Sequence, residues 1–154
     1  MKSLNQWLTE YASSHENRTN KTIHFICVPL IFFTIVAFAY CMKLYTFSSG
    51  LSLTLAHIVL LIVAVYYFTI SVPLAAGMVL YSGLCILLCT FIQELSHGHL
   101  LWVASTIFVV AWIFQFYGHS VEGKKPSFFK DIQFLLIGPA WVMSYIYRSA
   151  GIAV

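Results

Sequence analysis

Charge is the scarcest commodity in this sequence. Only 8% of its 154 residues are Asp, Glu, Lys or Arg, whereas about a quarter of a soluble domain is charged. So few charges cannot coat a water-soluble globule. Clustered basic residues are missing too: the net charge of +3 is scattered along the chain, which excludes the dense cationic face that nucleic-acid binding needs. Cysteine pairs at metal-knuckle spacing are absent. Cys27, Cys41, Cys85 and Cys89 lie inside or at the end of apolar runs and read as small packing residues. The first twenty residues lack an apolar stretch with a cleavage site and instead hold Glu10, Glu16, Arg18 and several amides, so no signal peptide is expected and the first span serves as its own insertion signal. No internal repeat, low-complexity tract or linker interrupts the chain, and residues 1–154 are expected to form a single integral membrane domain.

What remains is 60% hydrophobic and 17% aromatic. In lipid every backbone polar group must be bonded inside a helix or a closed barrel. The apolar runs here are long and do not alternate, which selects helices. Residues 3–14 put Leu4, Trp7, Leu8 and Tyr11 on one helical face, with Ser3 and Gln6 in capping-box spacing, and predict an amphipathic helix in the membrane interface. Four spans follow, at about residues 23–42, 51–70, 74–91 and 100–116, each near the length that crosses roughly 30 Å of hydrocarbon. Ser71, Val72 and Pro73 close the second and predict a tight antiparallel pair with the third. The last apolar stretch, residues 132–147, is short and interrupted by Gly138 and Pro139, a pattern expected of a re-entrant or interfacial helix pair. The expected fold is therefore all-α and polytopic: about four transmembrane helices, an N-terminal interfacial helix and a C-terminal re-entrant or interfacial segment.

Orientation follows from Lys and Arg in the short loops. Lys2, Arg18 and Lys21 precede the first span and Lys124, Lys125 and Lys130 follow the fourth, while the loops between carry Lys43 and Glu94. Both termini and both polar segments, residues 13–21 and 117–131, are expected on the cytoplasmic face. His15, His24 and His119 then share a side, whereas His97 and His99 fall about 30 Å away.

The first motif stretch, residues 11–24, contains His15, Asn20 and His24, with Pro29 five residues on; the second, residues 115–126, contains Gln115, Gly118, His119, Glu122 and Pro126. If the fourth span stays helical past Phe116, then Gln115, His119 and Glu122 line one face at i, i+4 and i+7, and Gly118 lets another helix approach. Imidazole with carboxylate suits iron, zinc, manganese or nickel. Set against that, a lone interfacial histidine is more often a hydrogen-bonded or proton-sharing group; three of them with a carboxylate on one face favour a metal centre. Asn20 and Gln115 either orient the imidazoles or cap helix ends. His57 reads as a bonded interhelical histidine. Glu94, His97 and His99 read as a solvated loop, and Tyr66, Tyr67, Phe116 and Tyr117 as an interface belt.

In these segments the chain resembles the membrane proteins similar to the yeast endoplasmic-reticulum 2-hydroxy fatty acid dioxygenase. The likeness rests on His15, Asn20, His24 and Pro29, on Gln115, Gly118, His119, Glu122 and Pro126, and on the tail from Ser127 through Asp131 to Gly138 and Pro139. It implies an Fe(II)-dependent oxygenase that uses O2 to shorten a 2-hydroxy fatty acid or related lipid by one carbon, in a bacterial inner membrane or the endoplasmic reticulum. His15, His24, His119 and Glu122 are the expected catalytic and metal residues, and Arg18, Lys124 and Lys125 are expected to draw in the substrate carboxylate. Two other enzyme or cofactor classes compete: a zinc-dependent membrane lipid hydrolase, for which no HExxH helix is present, and a haem protein with two axial histidines. A non-enzymatic transporter or scaffold would carry more polar residues deep in the spans than His57 alone.

Overall fold

The computed structural model describes residues 3–123 and 128–152. Among them the chain forms six helices and one short hairpin: α1 Leu4–Ala12, α2 Arg18–Cys41, β1 Lys43–Thr46, β2 Ser52–Thr54, α3 Leu55–Ile70, α4 Val72–Leu95, α5 Leu100–Glu122 and α6 Phe128–Ser149. Three of these, α2, α4 and α5, are long and apolar enough to cross a membrane. At 24, 24 and 23 residues they rise about 35 Å each, enough for the hydrocarbon and part of the headgroup region.

The expected second span changes most. Its first residues belong to an antiparallel hairpin, β1 with β2, turning through Ser48, Ser49 and Gly50. Gly50 has φ +85°, a left-handed conformation that glycine adopts without steric cost. Helix α3 starts only at Leu55 and has 16 residues, about 24 Å of rise, shorter than the three long helices. Thr54 and His57 close its first turn: the His57 Nδ1 accepts from the Thr54 N–H at 3.2 Å and lies 2.9 Å from the Thr54 hydroxyl. His57 is therefore bonded within its own helix end rather than across to a neighbour. Pro73 also shifts role. It sits in the first turn of α4, where its missing N–H costs nothing, and Ser71 caps that helix by accepting from the Leu74 N–H at 3.4 Å.

Contacts divide the chain into two compact units, one of Met1–Phe32 with Val109–Val154, the other of Phe33–Phe108. In the second, α3 and α4 pack side by side as a helical hairpin, and Tyr40 and Thr90 share a hydroxyl–hydroxyl bond of 3.0 Å. In the first, α1 is capped as its sequence predicts: the Ser3 hydroxyl accepts from the Gln6 N–H, and the Gln6 side chain accepts from the Ser3 N–H at 2.8 Å. Its apolar face is covered by protein, with Leu8 and Tyr11 buried against Ile137, Trp141 and Val142 of α6.

Helix α6 departs from expectation as well. Residues 128–149 form one continuous helix with Pro139 inside it, not a pair of helices broken at Gly138 and Pro139. A Cβ at Gly138 would stand 3.1 Å from the Tyr11 hydroxyl and 3.2 Å from Val28 Cγ1. The glycine thus marks a close approach of three helices, a packing requirement that sequence alone cannot separate from a chain break.

Candidate metal centre

His15 hangs on the turn that ends α1. Ser13 closes that end, its hydroxyl donating to the Glu10 carbonyl at 2.8 Å, and the His15 N–H bonds the Ala12 carbonyl at 2.9 Å. The ring is then fixed from two sides. Its Nδ1 lies 2.7 Å from the Tyr11 carbonyl, with the Ser14 hydroxyl 3.2 Å away. Its face stacks on Tyr11 at 4.3 Å and 14°, and Trp141 of α6 tilts against it at 5.9 Å. Only 2% of His15 is exposed.

His24 projects from the second turn of α2. That helix begins where Asn17 caps it, the Asn17 Oδ1 accepting from the Thr19 N–H at 2.8 Å. The buried His24 ring places Nδ1 3.0 Å from the Asn20 carbonyl one turn back. A carbonyl accepts only, so in both His15 and His24 the bond to it assigns the proton to Nδ1 and leaves Nε2 as the lone-pair nitrogen. This is the arrangement by which proteins orient metal-binding imidazoles.

His119 completes the group from α5, which continues helically past Phe116 to Glu122. Ring centroids are 4.1 Å apart for His15 and His24, 5.0 Å for His24 and His119, and 5.7 Å for His15 and His119. One nitrogen from each lies within 4.8 Å of the others, and among the described residues this is the group of His, Cys, Asp or Glu donors suited to a metal ion. The approach depends on Gly118, where a Cβ would stand 2.5 Å from the Asn20 Oδ1; α5 passes α2 at a distance only glycine allows.

The other expected residues are placed differently. Glu122 lies one turn beyond His119, and its carboxylate engages the start of α2: it accepts from the backbone N–H groups of Glu16 at 2.8 Å and Asn17 at 3.0 Å, and from the Asn20 side-chain amide at 3.0 Å. Asn20 is fully buried and also reaches the Ser14 carbonyl at 3.4 Å. Gln115 is buried one turn before His119, and Arg18 is exposed at the first turn of α2. Lys124 and Lys125, with Pro126, lie outside the described residues. Glu94, His97 and His99 are exposed in and beside the turn after α4, where His97 has φ 51°. Tyr11 was read from sequence only as part of the apolar face of α1, and Ser14 and Trp141 were not singled out. Tyr11 and Ser14 had a local signal, being four residues and one residue before His15; Trp141 had none.

Three imidazoles are a sound donor set for a divalent transition metal. Two nitrogens bound at about 2.1 Å to one ion stand at most about 4.2 Å apart, so rings whose nitrogens lie within 4.8 Å of one another need to close only slightly to share an ion, and backbone bonds already select the nitrogen in His15 and His24. Fold and site together define a class: a small helical protein with membrane-length apolar helices and a largely buried histidine cluster built from the turn after α1, the start of α2 and the end of α5. The chain belongs to the family described as "Mpo1-like: 2-hydroxy-palmitic acid dioxygenase Mpo1-like", which its residues 1–150 match. The 2-hydroxy-palmitic acid dioxygenase MPO1 of Saccharomyces cerevisiae is 29% identical to it over 149 residues, covering 91% of this chain and 77% of the yeast protein. No solved structure matches it.

Proposed function

We propose that this protein is an Fe(II)-dependent membrane dioxygenase that shortens 2-hydroxy fatty acids by one carbon, with His15, His24 and His119 as the metal ligands. The observation that carries the reading is the convergence of those three rings to within 4.8 Å at their donor nitrogens, in a chain whose family is named for a 2-hydroxy-palmitic acid dioxygenase. The reaction balances without a second reductant. R–CH(OH)–COOH plus O2 gives R–COOH, CO2 and H2O; the substrate loses four electrons and O2 gains four.

When bound, the ferrous ion supplies a Lewis acid for the substrate carboxylate and hydroxyl and the redox partner for O2. The chain does the rest. Three neutral imidazoles leave the ion's double charge uncompensated, which favours an anionic, chelating substrate over a neutral lipid. Backbone carbonyls of Tyr11 and Asn20 keep two of the rings in the ligating tautomer. Tyr11 and Trp141 cover His15 and exclude water from that side. Arg18, exposed at the start of α2, and the sequence neighbours Lys124 and Lys125 draw the carboxylate toward the cytoplasmic face, while the acyl tail remains among membrane lipids.

The test is metal analysis of the detergent-purified chain, followed by anaerobic Fe(II) loading and oxygen uptake on 2-hydroxy-palmitic acid. One equivalent of iron, uptake that requires the 2-hydroxyl, and release of CO2 are expected. Zinc retention with hydrolysis of a lipid ester and no oxygen uptake would overturn the proposal, as would a Soret band.

A further inference from the structure

We infer that Glu122 is a positioning residue of this centre: its carboxylate stays off the metal and locks the loop carrying His15 against α2 and α5. The inference rests on the reading of the three histidines as a metal centre and revises the ligand role that spacing alone gives to Glu122. Both oxygens are committed elsewhere. Oε1 accepts from the Glu16 N–H at 2.8 Å; Oε2 accepts from the Asn17 N–H and the Asn20 Nδ2, each at 3.0 Å. The two backbone donors immediately follow His15 in the chain. The third belongs to Asn20, whose own carbonyl holds the His24 ring and whose amide also reaches the Ser14 carbonyl at 3.4 Å, on the other side of His15. Glu122 itself follows His119 by one turn of α5. One carboxylate therefore ties together the three pieces of chain that carry the three imidazoles.

The chemistry of the donors explains why a carboxylate stands there. Three N–H groups converge, and an ionised carboxylate is acceptor-only on both oxygens; charge-assisted bonds of this kind are about twice as strong as neutral ones. The negative charge also faces the first turn of α2, where unpaired N–H groups favour an anion. Moving either oxygen onto a metal would strip an acceptor from Glu16 or from Asn17 and Asn20. Without the clamp, residues 13–17 would be held mainly by the Ser13 and Ser14 turns, and His15 would no longer be held in register with His24 and His119.

The experiment titrates the full-length, detergent-purified chain anaerobically with Co(II) as wild type, Glu122→Gln and Glu122→Ala, and measures amide hydrogen exchange of the metal-free proteins. A glutamine keeps one acceptor oxygen and turns an NH2 toward the remaining donors, so it loosens the clamp without leaving a hole. The Co(II) dissociation constant is expected to rise about 10–100-fold in the alanine variant and less in the glutamine variant. The visible Co(II) bands at saturation should keep the wild-type positions, because the three imidazoles remain the ligands. Exchange at the Glu16 and Asn17 amides should accelerate while α3 and α4 keep their protection. Displaced bands in either variant would make Glu122 a ligand and overturn the inference, and so would unchanged affinity with unchanged exchange. If the wild-type chain itself takes up no Co(II), the metal centre fails, and the positioning role fails with it.

Discussion

The two units of this chain differ in the polar residues they bury beside their apolar cores. In the unit of residues 1–32 and 109–154, the buried polar side chains are His15, Asn20, His24, Gln115 and Ser144 among the described residues; in residues 33–108 they are Thr34 and Thr54, beside apolar residues such as Phe33, Val36, Tyr67, Leu74, Met78 and Leu100. Burying an imidazole or a carboxamide costs free energy unless its polar atoms are bonded, and the first unit offsets part of that cost with a network from Ser14 to Glu122, which bonds the Asn20 Nδ2 but leaves its Oδ1 without a hydrogen bond. In the second unit Thr54 bonds His57 and Tyr40 bonds Thr90, and its helices turn Leu61, Leu80, Leu87 and Phe91 outward, as suits surfaces in contact with acyl chains. Polar burial is the better guide to chemistry here, since histidines are found in both units and only one unit holds them inside.

The comparison breaks most visibly at the imidazoles. Replacing His15, His24 or His119 with Ala is expected to abolish iron retention and oxygen uptake, whereas His97→Ala and His99→Ala keep both; elemental analysis and an oxygen electrode decide it, and a dead His97 variant would mean the working site has been misplaced. Chelation with EDTA should likewise stop uptake and added Fe(II) restore it. Next in size is Trp141→Ala, which empties the core between α1 and α6 and should cost about 3–5 kcal/mol, read as denaturant unfolding in detergent. Gly118→Ala forces a Cβ against Asn20 and should cost about 1–3 kcal/mol together with metal affinity; retention of both would show that α5 can back away from α2 freely. The smallest effect belongs to His57→Ala. It removes only a helix-end bond in the second unit, so about 1 kcal/mol or less of stability is at stake, with oxygen uptake at the wild-type level.

Much of this was legible beforehand, for reasons that differ from residue to residue. The Ser3 and Gln6 capping box is local, and so it reads correctly from four residues. The continuation of α5 to Glu122 was legible only as a condition: the apolar run stops at Phe116, and the i, i+4, i+7 spacing of Gln115, His119 and Glu122 makes one face only if the helix goes on. The hairpin between α2 and α3 was hidden, because Leu51 and Leu53 count toward an apolar run whatever their backbone conformation. Gly138 and Pro139 misled in the opposite direction. They are helix breakers in isolation, yet the glycine serves the packing of α6 on Tyr11 and Val28, and the proline is carried within the helix.

The sequence by itself determined that this chain folds as apolar helices with membrane-length spans and which polar side chains were candidates for chemistry, because composition, run length and residue type need no neighbours to act. Tertiary structure alone decided which of those side chains meet and in what role. Ligation depends on distances between segments about a hundred residues apart, and no local pattern says that Glu122 turns to the amides of Glu16 and Asn17 while His119 turns to His15 and His24.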